Sequence, residues 1–368
     1  MVRFHAPFAL AALLLLGTAP ALAQEGAPAD AAQERAAQAA RMGSTKVDLA
    51  DTGRHADLLV LHKIRTQLDQ PGNLAFVDLA SGNVVARVPV GREPHEVAVS
   101  GDGKWALVTN TGANAHAGNT LSLIDLAIRK ESRRIDLGPL TSPHGVWYNG
   151  GRFYFTAEGA KAIAAYDPET DHILWLTGTG QDTSHNIVVS KDGTMIFTAN
   201  RGSDTVSMFQ LVGRPGTYNA WHVTAIPVCK SPQGLDLSPD GKELWAGCRG
   251  TGEMAVIDTA TKTVSSTFQT NTPQIARVRF TPDGHRVLAA GIGRGELVIF
   301  DAASRRELKR LKLGDYAEGI LVTPDGKRAY VGVTTNDTVA EIDLDRMEVA
   351  RRLHTGLGPD GMAWIGAR

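Results

Sequence analysis

Apolar and polar residues alternate in short runs along most of this chain, punctuated by Asp-Gly or Gly-Gly pairs. A period of two marks half-buried strands, and Asp-Gly supplies the positive φ that tight hairpin turns demand. PHEVAVSGDGKWALVTN (94–110), SHNIVVSKDGTMIFTAN (184–200), PQGLDLSPDGKELWAGC (232–248), PQIARVRFTPDGHRVLAAG (273–291) and AEGILVTPDGKRAYVGV (317–333) are copies of one hairpin. PHGVWYNGGRFYFTA (143–157) is a variant with Gly-Gly at the turn. A second hairpin follows each first one, as in ELVIFDAASRRELKRLKLG (296–314). Asp78, Asp125, Asp167, Asp258, Asp301 and Asp343 close the third strand in most copies, with Gln210 in the remaining one. These carboxylates are expected to bind their own turn backbone.

Four antiparallel strands recurring at roughly 40–50-residue spacing predict a β-propeller. Residues 57–91 hold only three strands, while GPDGMAWIG (358–366) is an orphan first strand. Joined, they form one composite blade from both termini, which removes the open sheet edge and closes the ring. The expected fold is all-β: a seven-bladed β-propeller of four-stranded antiparallel blades over residues 55–368.

The segment ahead of the repeats changes the compartment. Arg3, the apolar run from Phe8 to Leu16 and the small-x-small triplet Ala21-Leu22-Ala23 predict an export signal over residues 1–23. Residues 24–54 are Ala-rich and are expected to form a disordered or partly helical linker. The mature chain is then periplasmic or secreted, a monomer with no membrane span. Its two cysteines, Cys229 and Cys248, are expected to form a disulfide in such a compartment. A net charge of -1 argues against nucleic acid as a partner. An anionic small molecule or a periplasmic protein is the expected partner.

In a propeller the first strand of each blade lines the channel. The residue after each strand opening is polar in every copy: His95, His144, His185, Gln233, Gln274, Glu318 and Asp360. Three readings of the histidines stand side by side. They are structural ring contacts, acid/base or ligand-binding groups, or metal-ligating imidazoles His95, His144 and His185 completed by a carboxylate or water. The loops after the second strands add Lys63, Arg65, Glu158, Lys161, Arg201, Arg249 and Arg294. Three arginines in register would favour an anionic ligand through charge-assisted contacts. No nucleophile elbow, P-loop, H-E-x-x-H, paired C-x-x-C or C-x-x-C-H is present. No cofactor is assigned beyond a candidate divalent metal.

With WALVTN, MIFTAN and RAYVGV as second strands, the repeats resemble those of YVTN-type β-propeller proteins over nearly all of 55–366. That family includes lactone hydrolases, lyases, redox-associated proteins and adhesive surface proteins. Asn200-Arg201-Gly202-Ser203-Asp204-Thr205-Val206-Ser207-Met208-Phe209 is similar to a segment of lactonase-type seven-bladed propellers. The resemblance implies that His185 and Arg201 would polarise a lactone carbonyl or hold a carboxylate; His144 and His95, from the same ring of strand-start residues, are the further catalytic candidates. Gln233, Gln274, Glu318, Asp360, Arg249 and Arg294 would complete the ligand site. The reading is thus a binding module at a His/Arg-lined mouth, with a lactonase-like hydrolase or metal-assisted lyase as the alternative.

Overall fold

The computed structural model describes residues 55–63, 70–113, 116–214, 217 and 220–366; the expected export signal, the linker and Arg65 lie outside them. The strands form seven four-stranded antiparallel sheets, the expected seven blades. Blade 1 is composite, as its ragged ends foretold: Pro359–Trp364 pairs with Leu58–His62, which pairs with Asn73–Asp78. First strands Pro94–Val99, Pro143–Asn149, Ser184–Val189, Pro232–Leu237, Ile275–Phe280 and Ala317–Val322 open blades 2 to 7. Each packs on the next around the axis, and Pro359–Trp364 against Pro94–Val99 closes the ring.

Local chemistry fixes the hairpins. Gly103 (φ 73), Gly193 (72), Gly241 (75), Gly284 (76) and Gly326 (69) take the positive φ their turns need. Ser100 Oγ donates to Asp102 at 2.6 Å, and Asp102 accepts the Lys104 N–H at 3.0 Å. The third-strand carboxylates act locally as well: Asp301 accepts the Ser304 N–H at 2.7 Å and Asp343 the Arg346 N–H at 3.0 Å. Inner strands are buried on both faces because a neighbouring blade covers each one. Leu288, Ala290, Leu297 and Ile299 of blade 6 meet Ile320, Val331, Ala340 and Ile342 of blade 7 in one such layer. Outer strands such as Thr263–Gln269 alternate exposed and half-buried. Cys229 and Cys248 face each other with Cα atoms 5.9 Å apart, a separation that a disulfide spans.

A backbone latch sets the channel face. Glu93, Ser142, Thr183, Ser231 and Gln274, each just ahead of a first strand, adopt φ between 43° and 57°. Their carbonyls accept the N–H of Thr111, Glu158, Arg201, Arg249 and Ile292, respectively. Lys63 and Thr334 make the same bond to Gly358 and Tyr316. One loop residue per blade is thereby pinned beside the strand opening.

Candidate functional site

Three residues per blade now stand in equivalent places around the channel. The latch residues are Lys63, Thr111, Glu158, Arg201, Arg249, Ile292 and Thr334. The second residues of the first strands are Asp360, His95, His144, His185, Gln233, Ala276 and Glu318. Six of the seven match the polar ring expected from the sequence. The exception is Gln274: Ile275, not Pro273, pairs opposite Gly291 as Pro94 pairs opposite Asn110. Gln274 is therefore the exposed residue whose carbonyl accepts the latch bond from Ile292, and Ala276 takes the ring position. Arg294 is corrected for the same reason. It lies beyond the latch position of Ile292, is exposed, and donates to the Asn271 carbonyl at 3.2 Å.

A third position escaped the sequence reading. Strand pairing shifts register at the start of all seven first strands. Such a bulge lets two successive side chains turn toward the axis, which simple alternation does not foresee. Blades 2, 4 and 6 present Glu96, Asn186 and Arg277 there, while blades 1, 3, 5 and 7 have glycine. A Cβ on Gly234 would lie 2.8 Å from the Arg277 backbone, so glycine permits the neighbouring strand to approach. Arg277 crosses the channel, bonding Asn186 Oδ1 at 2.8 Å and pairing closely with Glu96, with Asp360 at 4.0 Å. The three side chains plug the channel. Beyond them lies a cavity of about 270 Å³ lined by Trp147, Tyr148 and Trp364 among others.

Above the plug, the histidines of blades 2 to 4 form a tilted stack. Ring centroids are 4.5 Å apart for His95 and His144, and 3.7 Å for His144 and His185. His144 and His185 are buried at 3% and 4% exposure, whereas His95 is partly open. Burial, then the neighbouring charges, holds both buried imidazoles well below the usual histidine range, so they are neutral at pH 7. His185 Nδ1 makes a short contact with Glu158 Oε1. Burial pushes the Glu158 carboxyl up to about 7, against the pull of Arg201. The contact is thus a neutral imidazole beside a proton-sharing carboxyl rather than a fixed ion pair.

The opposite wall is ionic. Lys63 Nζ lies 2.6 Å from Asp360 Oδ2 and 3.0 Å from Glu318 Oε2, and His95 Nδ1 lies 3.2 Å from the same Asp360 oxygen. Burial opposes the Asp360 charge, yet Lys63, His95 and Arg277 hold it well below the usual carboxylate range. Arg249 donates to Gln233 Oε1 at 3.2 Å. Arg201 carries a buried Nε with no hydrogen-bond partner. Of the lactonase-like segment, only Arg201 reaches this mouth. Asn200 bonds Thr205 and Ser207, Ser203 accepts the Asp182 N–H, and Asp204 accepts the Ser231 N–H. Lys161 pairs with Asp182 on the surface.

A family model for the cytochrome D1 heme domain matches residues 125–333. The chain belongs to the cytochrome D1 heme domain family. No curated protein matches the sequence. Solved structures show the same fold at low identity. Hydrazine synthase of Kuenenia stuttgartiensis is 20% identical over 73% of this chain and 88% of its own, with a TM-score of 0.62. A candidate 6-phosphogluconolactonase from Bacteroides fragilis is 13% identical over 86% and 99%, with a TM-score of 0.66. A functionally unknown protein from Desulfotomaculum acetoxidans is 12% identical over 84% and 99%, with a TM-score of 0.68.

Membership in the cytochrome D1 heme domain family raises haem as a candidate group. The histidines at this mouth do not fit it. A haem ligand must present a ring nitrogen to a flat macrocycle, but His144 is covered by a histidine on either side. His185 and His95 turn Nδ1 to the carboxylates of Glu158 and Asp360, and their ring centroids lie 3.7 and 4.5 Å from that of His144, too close to admit a macrocycle between the rings.

Proposed function

We propose that this propeller is an exported binding module, acting in the periplasm or outside the cell, that holds an anionic small molecule at the channel mouth. The buried, unpartnered Arg201 Nε carries this reading. An arginine donor removed from water and left unpaired is costly, and an incoming oxyanion would satisfy it. Charge balance points the same way. Lys63 faces Asp360 and Glu318, and Arg277 faces Glu96. Glu158 is largely proton-bearing below pH 7, so with Arg201 and Arg249 these groups comprise four cations against three carboxylates, one positive charge in excess. The YVTN-type resemblance is compatible with this reading but selects no ligand.

The second reading is a lactonase-like hydrolase or a metal-assisted lyase at the same mouth. The buried His185–Glu158 pair, beside Arg201, favours it: a neutral imidazole could take a proton while arginine steadies developing negative charge. A divalent ion on the histidine wall would serve the metal-assisted version.

Calorimetric titration with inorganic phosphate and 6-phosphogluconate tests binding. Arg201→Ala should weaken it about 10–100-fold, the worth of a charge-assisted hydrogen bond. Equal binding by wild type and variant, or none by either, would overturn the proposal. Turnover of a sugar lactone, lost in His185→Ala, would move the conclusion to the hydrolase.

A further inference from the structure

We infer that the mouth contains a mononuclear transition-metal site made by His144, His185 and Glu158, and that His95 is not one of its ligands. One ring nitrogen from each of these two histidines and one Glu158 oxygen lie within 4.8 Å of one another. Two imidazoles, one carboxylate and an open position form a donor set suited to Zn(II) and other first-row divalent ions. A second observation points to a missing partner: His144 Nδ1 and His95 Nδ1 are both buried without a hydrogen bond, but His95 Nδ1 has the Asp360 carboxylate 3.2 Å away, whereas His144 Nδ1 has no ion-pair contact among the described residues. Buried imidazole nitrogens are ordinarily satisfied, and a metal would account for this one.

A second group, His95, Glu318 and Asp360, meets the same distance criterion. It already encloses a cation. The Lys63 ammonium lies 2.6 Å from Asp360 Oδ2 and 3.0 Å from Glu318 Oε2, where a metal would otherwise sit. His95 is turned toward that ammonium-bearing set by its 3.2 Å contact with Asp360. The three adjacent histidines are therefore divided, two for a metal and one for the lysine's carboxylates. The metal site shares the mouth with the anion-binding reading but does not depend on it, because a metal can be titrated with no anion ligand present.

The test uses the full mature protein, stripped with chelator and titrated with Co(II) or Zn(II) alone. One equivalent should bind, with the visible ligand-field bands of low-coordinate Co(II). Glu158→Gln, which keeps the side-chain shape, should weaken binding by more than about 100-fold, beyond the roughly 10–100-fold that loss of an outer-shell partner usually costs. His144→Ala should do the same, and a misfolded His144→Ala leaves Glu158→Gln to decide. His95→Ala should retain one equivalent. Absence of metal binding by the folded wild type would overturn the inference. So would a loss in His95→Ala as large as that in Glu158→Gln.

Discussion

The carboxylates at the blade turns and those in the channel are the same chemical groups in opposite circumstances. Asp102 and Asp325 are largely solvated and accept local hydrogen bonds, from Ser100 and Thr323 first, which lower their proton affinity. Glu96 and Glu158 lie in the channel, where burial dominates and raises it despite nearby arginines. Donors within reach decide the first case and lost water the second. The turns shape the blades, whereas charge buried in the channel is costly and must be answered, as Lys63, His95 and Arg277 answer Asp360.

The largest expected effect comes from breaking the plug. Arg277→Met leaves Glu96 buried without its guanidinium, and should lower the unfolding free energy by about 3–5 kcal/mol. Adding Glu96→Leu should restore most of that loss, because an apolar pair needs no compensation. Denaturant midpoints of both variants measure it, and a harmless single substitution would erase the contrast between channel and turn.

Next comes the pH profile. His62 is pushed down to about 3 by burial, and His144 and His185 also lie well below the usual range. The unfolded chain takes up these protons first, so their stability is present above about pH 6.5 and is lost as pH falls. Glu158 works the other way: its raised value stabilises at low pH, and that contribution is lost as pH rises through about 7. Burial raises Glu96 and Asp236 as well, and they act in the sense of Glu158; the three imidazoles dominate because their unfolded value, near 6.5, bounds the interval in which they take up protons. Stability should fall on acidification from pH 6.5 to 5, by about 1.4 kcal/mol per pH unit for each net proton. A flat profile over that interval would contradict the neutral histidine wall. The smallest effect belongs to the turns. Asp102→Ala should cost less than about 1 kcal/mol, in the range of exposed polar contacts.

The blades were legible because period-two alternation and Asp-Gly turns are local signals, and each repeat restates them. The composite blade followed from counting strands at both ends. The channel was legible only in part. Pro273-Gln274 imitates Pro232-Gln233, yet the turn at Asp283-Gly284 fixes register from the other end. Counting back from that turn would have placed Ile275 at the strand opening and Ala276 in the ring. Glu96, Asn186 and Arg277 stayed hidden because a bulge, which leaves no mark in the alternation, turns them toward the axis. Of the three arginines expected in register, Arg201 and Arg249 reach the mouth and Arg294 does not, while Glu158 and Glu318 stand there as expected from their places in the repeats.

The claim that matters most is that an oxyanion belongs at Arg201. A crystal of the mature protein soaked in selenate, with anomalous scattering recorded at the selenium edge, locates it directly. Density is expected at the channel mouth within hydrogen-bond reach of Arg201 Nε and the Arg249 guanidinium, and should be absent in Arg201→Ala. A mouth without selenium in a crystal that binds it elsewhere, or density unchanged in the variant, would contradict it.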